Sequence, residues 1–156
     1  MAAFALVFAA LAALLHFYIF YLEVPAFGSA AFCRVFRIAP EQLPDVQAAF
    51  QNLGVYNLCL ALCLCAGIDA CLLAGGSAYA LWLSHGFLCS GLGSIIVAGC
   101  FLFATAPDKR RAAIMQASTA VLALVFLLFP DAKAACTPIF KVQAAFSGSG
   151  NAGNLT

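Results

Sequence analysis

Four long runs of apolar residues, separated by short polar or proline-containing links, dominate the chain. The runs cover about residues 2–24, 54–74, 79–106 and 112–129. Each is close to or above the roughly 20 residues that a helix needs to cross a bilayer. Pro25, Pro107 and Pro130 follow three of them, at positions where helices commonly stop. The pattern predicts an all-α fold, a four-helix transmembrane bundle whose last three helices are antiparallel neighbours because their links are short.

The first link has a pattern of its own. Phe32 and Phe36 are four residues apart with arginines beside them, which predicts a short interfacial helix with its aromatic rings in the headgroup region. Pro44 followed by Asp45 resembles the first turn of a helix. The second helix is therefore predicted to start as early as Pro44 and to extend beyond the bilayer.

The end of the chain changes character. Residues 131–146 are mixed, and residues 147–154 contain only serine, glycine, asparagine and alanine. Such a composition is typical of a linker that is disordered in isolation. The predicted organisation is a four-span membrane domain, residues 1–130, followed by a C-terminal tail, residues 131–156.

Composition agrees with a membrane protein, since 65% of the residues are hydrophobic and 8% are charged. A net charge of +1 gives no reason to expect a nucleic-acid partner, so membrane lipid and other membrane subunits are the expected partners. Six of the eight cysteines lie inside apolar runs without metal-ligand companions, which favours packing over a disulfide framework or a metal site. A thiol relay through Cys63 and Cys65 is disfavoured, because these positions point about 200° apart on a helix.

Basic residues predict the orientation. The first and third runs are followed by five of them, and the opposite side carries two. The first set is Arg34, Arg37, Lys109, Arg110 and Arg111, and the second is Lys133 and Lys141. The positive-inside rule places the basic links in the cytoplasm, matrix or stroma and both termini on the other side. An organellar inner or thylakoid membrane or a bacterial inner membrane fits this expectation. The first 24 residues lack a basic n-region and a cleavage site, which indicates a retained span.

Two ionisable residues lie in the first run, where hydrocarbon is expected. His16 and Glu23 are seven residues apart, two turns of a helix, so both lie on one face. A charged group facing lipid costs several kcal/mol, whereas one that faces other helices can find a partner. This face is predicted to be the inside of the bundle.

Several polar residues are predicted to lie at the same depth as this pair. The resulting candidate polar pocket consists of His16, Glu23, Asn52, Tyr56, Asn57 and Gln116. Amides and tyrosines commonly hydrogen-bond across membrane helices, at about 1 kcal/mol each, so the structural interpretation is preferred for them. For the histidine and the glutamate a structural and a functional role stay open. No catalytic residue and no metal-ligand set is assigned.

A second polar pair, Asp69 and His85, is predicted at similar depth in the opposite half of the membrane, where it could form a hydrogen-bonded acid and imidazole. The alternative is that Asp69 reaches the interface and His85 is a satisfied core histidine. His16 or His85 could also supply one axial nitrogen to the metal of a tetrapyrrole pigment, or contact lipid. No cofactor is otherwise indicated.

Small residues recur at every fourth position on two of the runs. The third run carries Gly86, Ser90, Ser94 and Ala98, and the first carries Ala5, Ala9 and Ala13. Such stripes allow close approach of helix backbones. They predict tight helix contacts, with a partner either in this chain or in another.

These motifs together resemble a known family. The matching elements are His16-x-Tyr18, Leu22-Glu23, Arg34-Val35-Phe36, Asn52-x-Gly54-x-Tyr56-Asn57, Val97-Ala98-Gly99 and Gln116. They are similar to the small four-helix membrane proteins of the domain of unknown function 1304, over about residues 8–128. The resemblance implies a four-span bundle with a polar face built from the six residues of the candidate pocket, and it implies no activity.

Two functions are compatible with the sequence. The first is a non-catalytic accessory subunit of a larger respiratory or photosynthetic membrane complex, favoured by the small-residue stripes and the small extramembrane mass. The second is a small-molecule-binding, transport or enzymatic module that uses His16 and Glu23. Whether the protein is an enzyme stays open at this point, and a non-catalytic role is favoured.

Overall fold

The computed structural model describes residues 3–129, which form five α-helices and two short 3-10 helices. The α-helices are α1 (Ala3–Glu23), α2 (Ala30–Phe36), α3 (Leu43–Leu72), α4 (Ala78–Thr105) and α5 (Arg110–Leu128). The 3-10 helices are Pro40–Gln42 and Pro107–Lys109. No strand occurs in this part of the chain, and the predicted tail, residues 131–156, lies outside it.

The prediction of an all-α bundle is confirmed. The four helices other than α2 are long and apolar enough to cross a membrane. The third of the five, α3, begins at Leu43 with Pro44 in its first turn, as expected. A turn with left-handed backbone at Gly75 and Gly76 (φ of 53° and 89°) then leads into α4, where the Ser77 hydroxyl accepts a hydrogen bond from the Ala80 N–H.

The four long helices form a ring in the order α1, α3, α4, α5. Ala5, Ala9 and Ala13 are buried, so the stripe on α1 packs inside this bundle, which answers the question of its partner that the sequence left open. Beside it, the ring of Phe126 on α5 stacks on Phe8, with centroids 5.8 Å apart. Small side chains on α1 therefore bring its backbone close to both of its neighbours.

Glycines set the contact between α3 and α4. A Cβ at Gly67 would lie 2.8 Å from Cγ of Leu88, and a Cβ at Gly91 would lie 2.8 Å from Cδ2 of Leu64. Each leucine therefore fills the space beside a glycine of the other helix. The buried Ser84 hydroxyl donates a hydrogen bond of 2.6 Å to the Gly67 carbonyl at the same crossing. These reciprocal contacts fix the antiparallel register of the two helices.

The stripe predicted on α4 lies on the opposite side of that helix. Gly86, Ser90, Ser94 and Ala98 are all exposed. A Cβ at Gly86 would meet no atom within 4 Å. The tight contacts expected of this stripe are thus not made within residues 3–129, and a contact with another chain stays a prediction.

The short helix α2 is present in the first link. One of its two predicted headgroup rings, Phe32, faces the protein interior instead, so for this ring the prediction is wrong. Phe32 is completely buried, with its ring centroid 4.7 Å from Phe27 and 5.0 Å from Phe50 of α3. Phe36 also packs on Phe50, at 4.9 Å. This phenylalanine cluster (Phe27, Phe32, Phe36 and Phe50) packs α2 against the first turns of α3 through tilted and edge-to-face ring contacts, which stabilise the association.

Candidate functional site

The structure joins two members of the candidate pocket, Glu23 at the end of α1 and Asn57 on α3. Nδ2 of Asn57 donates a hydrogen bond of 2.8 Å to Oε2 of Glu23 and one of 3.1 Å to the Leu53 carbonyl. Glu23 is 4% exposed, so its carboxylate lies inside the protein. An amide that faces a buried carboxylate supplies the donor that such a group needs.

Gly54 allows this pair to form. A Cβ at residue 54 would lie 3.0 Å from Cβ of Glu23 and 2.5 Å from Cγ2 of Val24. Any larger residue would push the end of α1 away from α3. The close backbone approach therefore brings the carboxylate within reach of Asn57, which lies three residues further along α3.

His16 is buried as well, at 2% exposure. Its Nδ1 donates a hydrogen bond of 2.9 Å to the Ala12 carbonyl on its own helix. Because a carbonyl can only accept, Nδ1 carries a proton and the ring orientation is fixed. His16 lies two turns, about 10 Å, from Glu23 along α1, so the two side chains face inward as predicted but belong to different levels of the bundle.

Gln116 lies at the level of His16. The ring of Phe126 contacts both Phe4 and Phe8, at 5.6 and 5.8 Å, so residue 126 of α5 is level with residue 6 of α1. Ten residues towards the basic end, the antiparallel helices bring Gln116 level with His16. Gln116 is partly buried. The helix register therefore supports a polar level made of these two residues, separate from the Glu23–Asn57 pair.

The remaining two pocket candidates point away from the bundle. Tyr56 is 61% exposed, and Asn52 is exposed. Both lie on α3 on either side of the inward-facing Gly54. The six predicted residues thus form three groups. One is the hydrogen-bonded pair Glu23 and Asn57, the second is His16 and Gln116 deeper in the bundle, and the third is the outward-facing Asn52 and Tyr56. Whether any of them has a functional role stays a prediction.

The predicted hydrogen bond between Asp69 and His85 is not formed. Asp69 is exposed, and Nδ1 of His85 donates to the Leu81 carbonyl of its own helix at 2.8 Å. The similar depth of the two residues was inferred correctly, since residue 67 packs beside residue 88. The rotation of the helices about their axes, however, directs Asp69 outward.

Cofactor binding can be assessed at the two histidines. Nδ1 of each histidine donates a hydrogen bond to a backbone carbonyl, which leaves Nε2 as the nitrogen that could bind a metal. His16 is surrounded by protein, so a macrocycle at its ring would require the helices to separate. His85 is partly buried and is the more accessible of the two for a tetrapyrrole. Among residues 3–129, no three His, Cys, Asp or Glu side chains are grouped as a metal site would need.

Two structural features were missed from the sequence. Ser84 is fully buried and joins α3 to α4, and Gly67 and Gly91 make the close contacts. A spacing of seven residues separates Ser84 from Gly91, which places both on one helix face and could have been noticed.

The sequence matches the family described as "Protein of unknown function (DUF1304)" over residues 10–128. This chain belongs to the DUF1304 family. No curated protein and no solved structure matches it. The family match covers most of α1 and all of α2, α3, α4 and α5. In this DUF1304 protein, both the Glu23–Asn57 pair and the level of His16 and Gln116 lie inside the matched region.

Proposed function

We propose that this DUF1304 protein is a small non-catalytic subunit of a larger membrane assembly. The observation that carries the proposal is the outward face of α4, where Gly86, Ser90, Ser94 and Ala98 are exposed. Small residues on such a face allow another transmembrane helix to approach closely, which supports association in lipid. Respiratory and photosynthetic complexes are the assemblies in which such subunits are expected.

The hydrogen bonds inside the bundle agree with a structural role. Glu23 is bonded to Asn57, His16 to the Ala12 carbonyl, and Ser84 to the Gly67 carbonyl. In residues 3–129 no deeply buried side-chain nitrogen or oxygen atom lacks a hydrogen-bond partner. Groups that are paired in this way stabilise the bundle by fixing its helix contacts.

Native electrophoresis of mildly solubilised membranes tests the proposal. The wild-type chain should run in a large complex, and Ser90→Leu with Ser94→Leu should release it as a small particle. Ser118→Leu is the matched control, because Ser118 is also exposed but lies on α5. A wild-type chain that runs alone, or only with copies of itself, would contradict the proposal, as would equal behaviour of all three forms.

A second candidate is a small-molecule-binding, transport or enzymatic module, favoured by the burial of both His16 and Glu23. Glu23→Gln separates the two functions. The glutamine keeps an oxygen that can accept from Asn57, so the bundle should stay folded and assembled. Loss of complementation of a strain lacking the gene, with assembly intact, would support the module and count against the purely structural role.

We also propose that the basic end faces the cytoplasm, matrix or stroma. The support is that the links carrying Arg34, Arg37, Lys109, Arg110 and Arg111 lie at one end of the antiparallel bundle. Topology reporters fused after residue 129 should report the opposite compartment. A cytoplasmic signal from that fusion would reverse the assignment.

A further inference from the structure

Exposed aromatic residues indicate where the bilayer lies around the bundle. Tyr79 and Trp82 are each 77% exposed near the start of α4, and Tyr21 and Tyr56 are exposed near the other end of the bundle. The α3–α4 register brings Tyr56 level with Gly99, 17 residues after Trp82. This separation is about 26 Å along the helix, close to the thickness of the hydrocarbon core. The two aromatic levels therefore correspond to the two interfaces.

The link between α4 and α5 carries basic residues just outside this core. Nε of Arg110 donates a hydrogen bond of 3.3 Å to the Phe103 carbonyl, and its guanidinium lies 5.0 Å from the centroid of the Phe103 ring. Phe103 is one helical turn beyond Gly99, about 6 Å outside the hydrocarbon edge and therefore in the headgroup layer. Lys109 and Arg111 flank Arg110 in sequence.

Helix α2 places two further arginines at a similar depth. The phenylalanine cluster holds α2 against Phe50, which lies six residues, or about 9 Å, beyond Tyr56. Arg34 on α2 and Arg37 at its C-terminal cap are both exposed. No acidic residue occurs between residues 24 and 40. The charges of α2 are thus positive and held in position by aromatic packing.

Two acidic residues of this end, Glu41 and Asp45, precede Phe50 in the chain. Asp45 precedes Phe50 by five residues, so it is about 8 Å further out along α3, and Glu41 precedes Asp45. The five basic residues of the two links outnumber the three acidic residues Glu41, Asp45 and Asp108, so this end keeps a net positive charge. Asp108 is the one acidic residue between residues 105 and 111, beside three basic ones.

We propose that this basic belt, Arg34, Arg37, Lys109, Arg110 and Arg111, binds the phosphate headgroups of anionic phospholipids and selects them over zwitterionic ones. The belt lies at the depth of lipid phosphates and carries an excess of positive charge on both links. Arginine side chains bind phosphate oxygens through two parallel hydrogen bonds. Each arginine near an anionic lipid surface contributes on the order of a fivefold preference.

Native mass spectrometry tests this inference on the full chain. The protein is released from nanodiscs of equimolar phosphatidylglycerol and phosphatidylcholine, and the two bound lipids are counted. The wild type should retain phosphatidylglycerol in excess. Two double variants are compared with it, Arg34→Gln with Arg37→Gln and Arg110→Gln with Arg111→Gln. Each should lower the ratio of bound phosphatidylglycerol to bound phosphatidylcholine, on the order of fivefold per arginine removed.

Three controls distinguish an effect of the basic belt on lipid preference from an effect of the protein's total net charge or of misfolding. Lysine at the same four positions should keep most of the preference, because it keeps the charge. Asp69→Asn alters charge at the opposite end of α3 and should leave the ratio unchanged. Raising the salt concentration around the wild type should lower the ratio without any substitution. Equal retention of both lipids by the wild type, a ratio insensitive to salt, or an Asp69→Asn effect as large as that of the arginine pairs would overturn the proposal.

Discussion

Replacement of Gly67 by alanine tests the α3–α4 contact on which the ring of helices depends. The new methyl carbon would lie 2.8 Å from Cγ and 3.0 Å from Cδ2 of Leu88, and 3.2 Å from its backbone nitrogen. A leucine side chain can rotate away, but the backbone nitrogen can move only with α4 itself. The substitution should therefore push the two helices apart and stretch the hydrogen bond from Ser84 to the Gly67 carbonyl.

Gly86→Ala is the matched control for this change. Gly86 also lies within a helix, and its added methyl group would meet no atom within 4 Å. Both substitutions gain helix propensity, about 1 kcal/mol each, so the difference between them isolates packing. Overpacking of a filled contact typically costs about 1–3 kcal/mol. Gly67→Ala should be less stable than Gly86→Ala by about that amount.

Unfolding in mixed micelles of increasing SDS content measures this difference. Near-ultraviolet circular dichroism of the aromatic residues reports loss of tertiary packing, whereas far-ultraviolet spectra would stay helical. Gly86→Ala should unfold at the same SDS fraction as the wild type or a higher one, and Gly67→Ala at a lower one. Equal midpoints for the two variants would show that the α3–α4 contact is not limited by Gly67, and the packing argument would fail.

Three other contacts give further predictions under the same unfolding assay. Ser84→Ala should lower stability by about 1 kcal/mol through loss of an interhelical hydrogen bond, and an unchanged midpoint would contradict that contribution. Asn57→Leu should destabilise by about 1–3 kcal/mol because the buried carboxylate of Glu23 loses its donor, whereas Asn52→Leu, at an exposed position, should have little effect. Equal destabilisation by Asn57→Leu and Asn52→Leu would refute the assignment of Asn57 as the donor to Glu23. Phe32→Ala should cost about 3–5 kcal/mol and release α2 from α3. Hydrogen exchange of residues 30–36 should then become fast, and continued protection would show that other contacts hold α2.

The sequence predicted the small-residue stripe on α4 but not the direction in which it faces, because that direction depends on the rotation of the helix about its axis. Nearly every position of α4 is apolar or small, so hydrophobicity does not distinguish the face that packs on α3 from the face that meets lipid. Ser84, Gly91 and Ser94 differ little by residue type, yet the first two are buried and the third is exposed. Leu64 of α3 fits beside Gly91 of α4, and Leu88 of α4 fits beside Gly67 of α3, so the inward face depends on residues of both helices.

The candidate pocket shows the same division between local and tertiary information. Glu23 and His16 were placed inside the bundle correctly, because an ionisable group facing lipid is costly in any fold. Asn52 and Asn57 are five residues apart and point about 140° away from each other on a helix, so both cannot face α1. Which of them does so depends on the close approach at Gly54, a feature of the packed pair of helices.

The sequence by itself determined the helices, their antiparallel order and the inward position of the two ionisable residues of α1. Length, apolarity and the cost of charge in hydrocarbon act on each segment separately, so no neighbouring helix is needed to infer them. The tertiary structure decided how each helix is rotated, which glycines make contacts, and where the phenylalanine rings of α2 pack. Those outcomes depend on shape complementarity between segments far apart in the chain, and an apolar helix in an apolar solvent carries little pattern that reveals it.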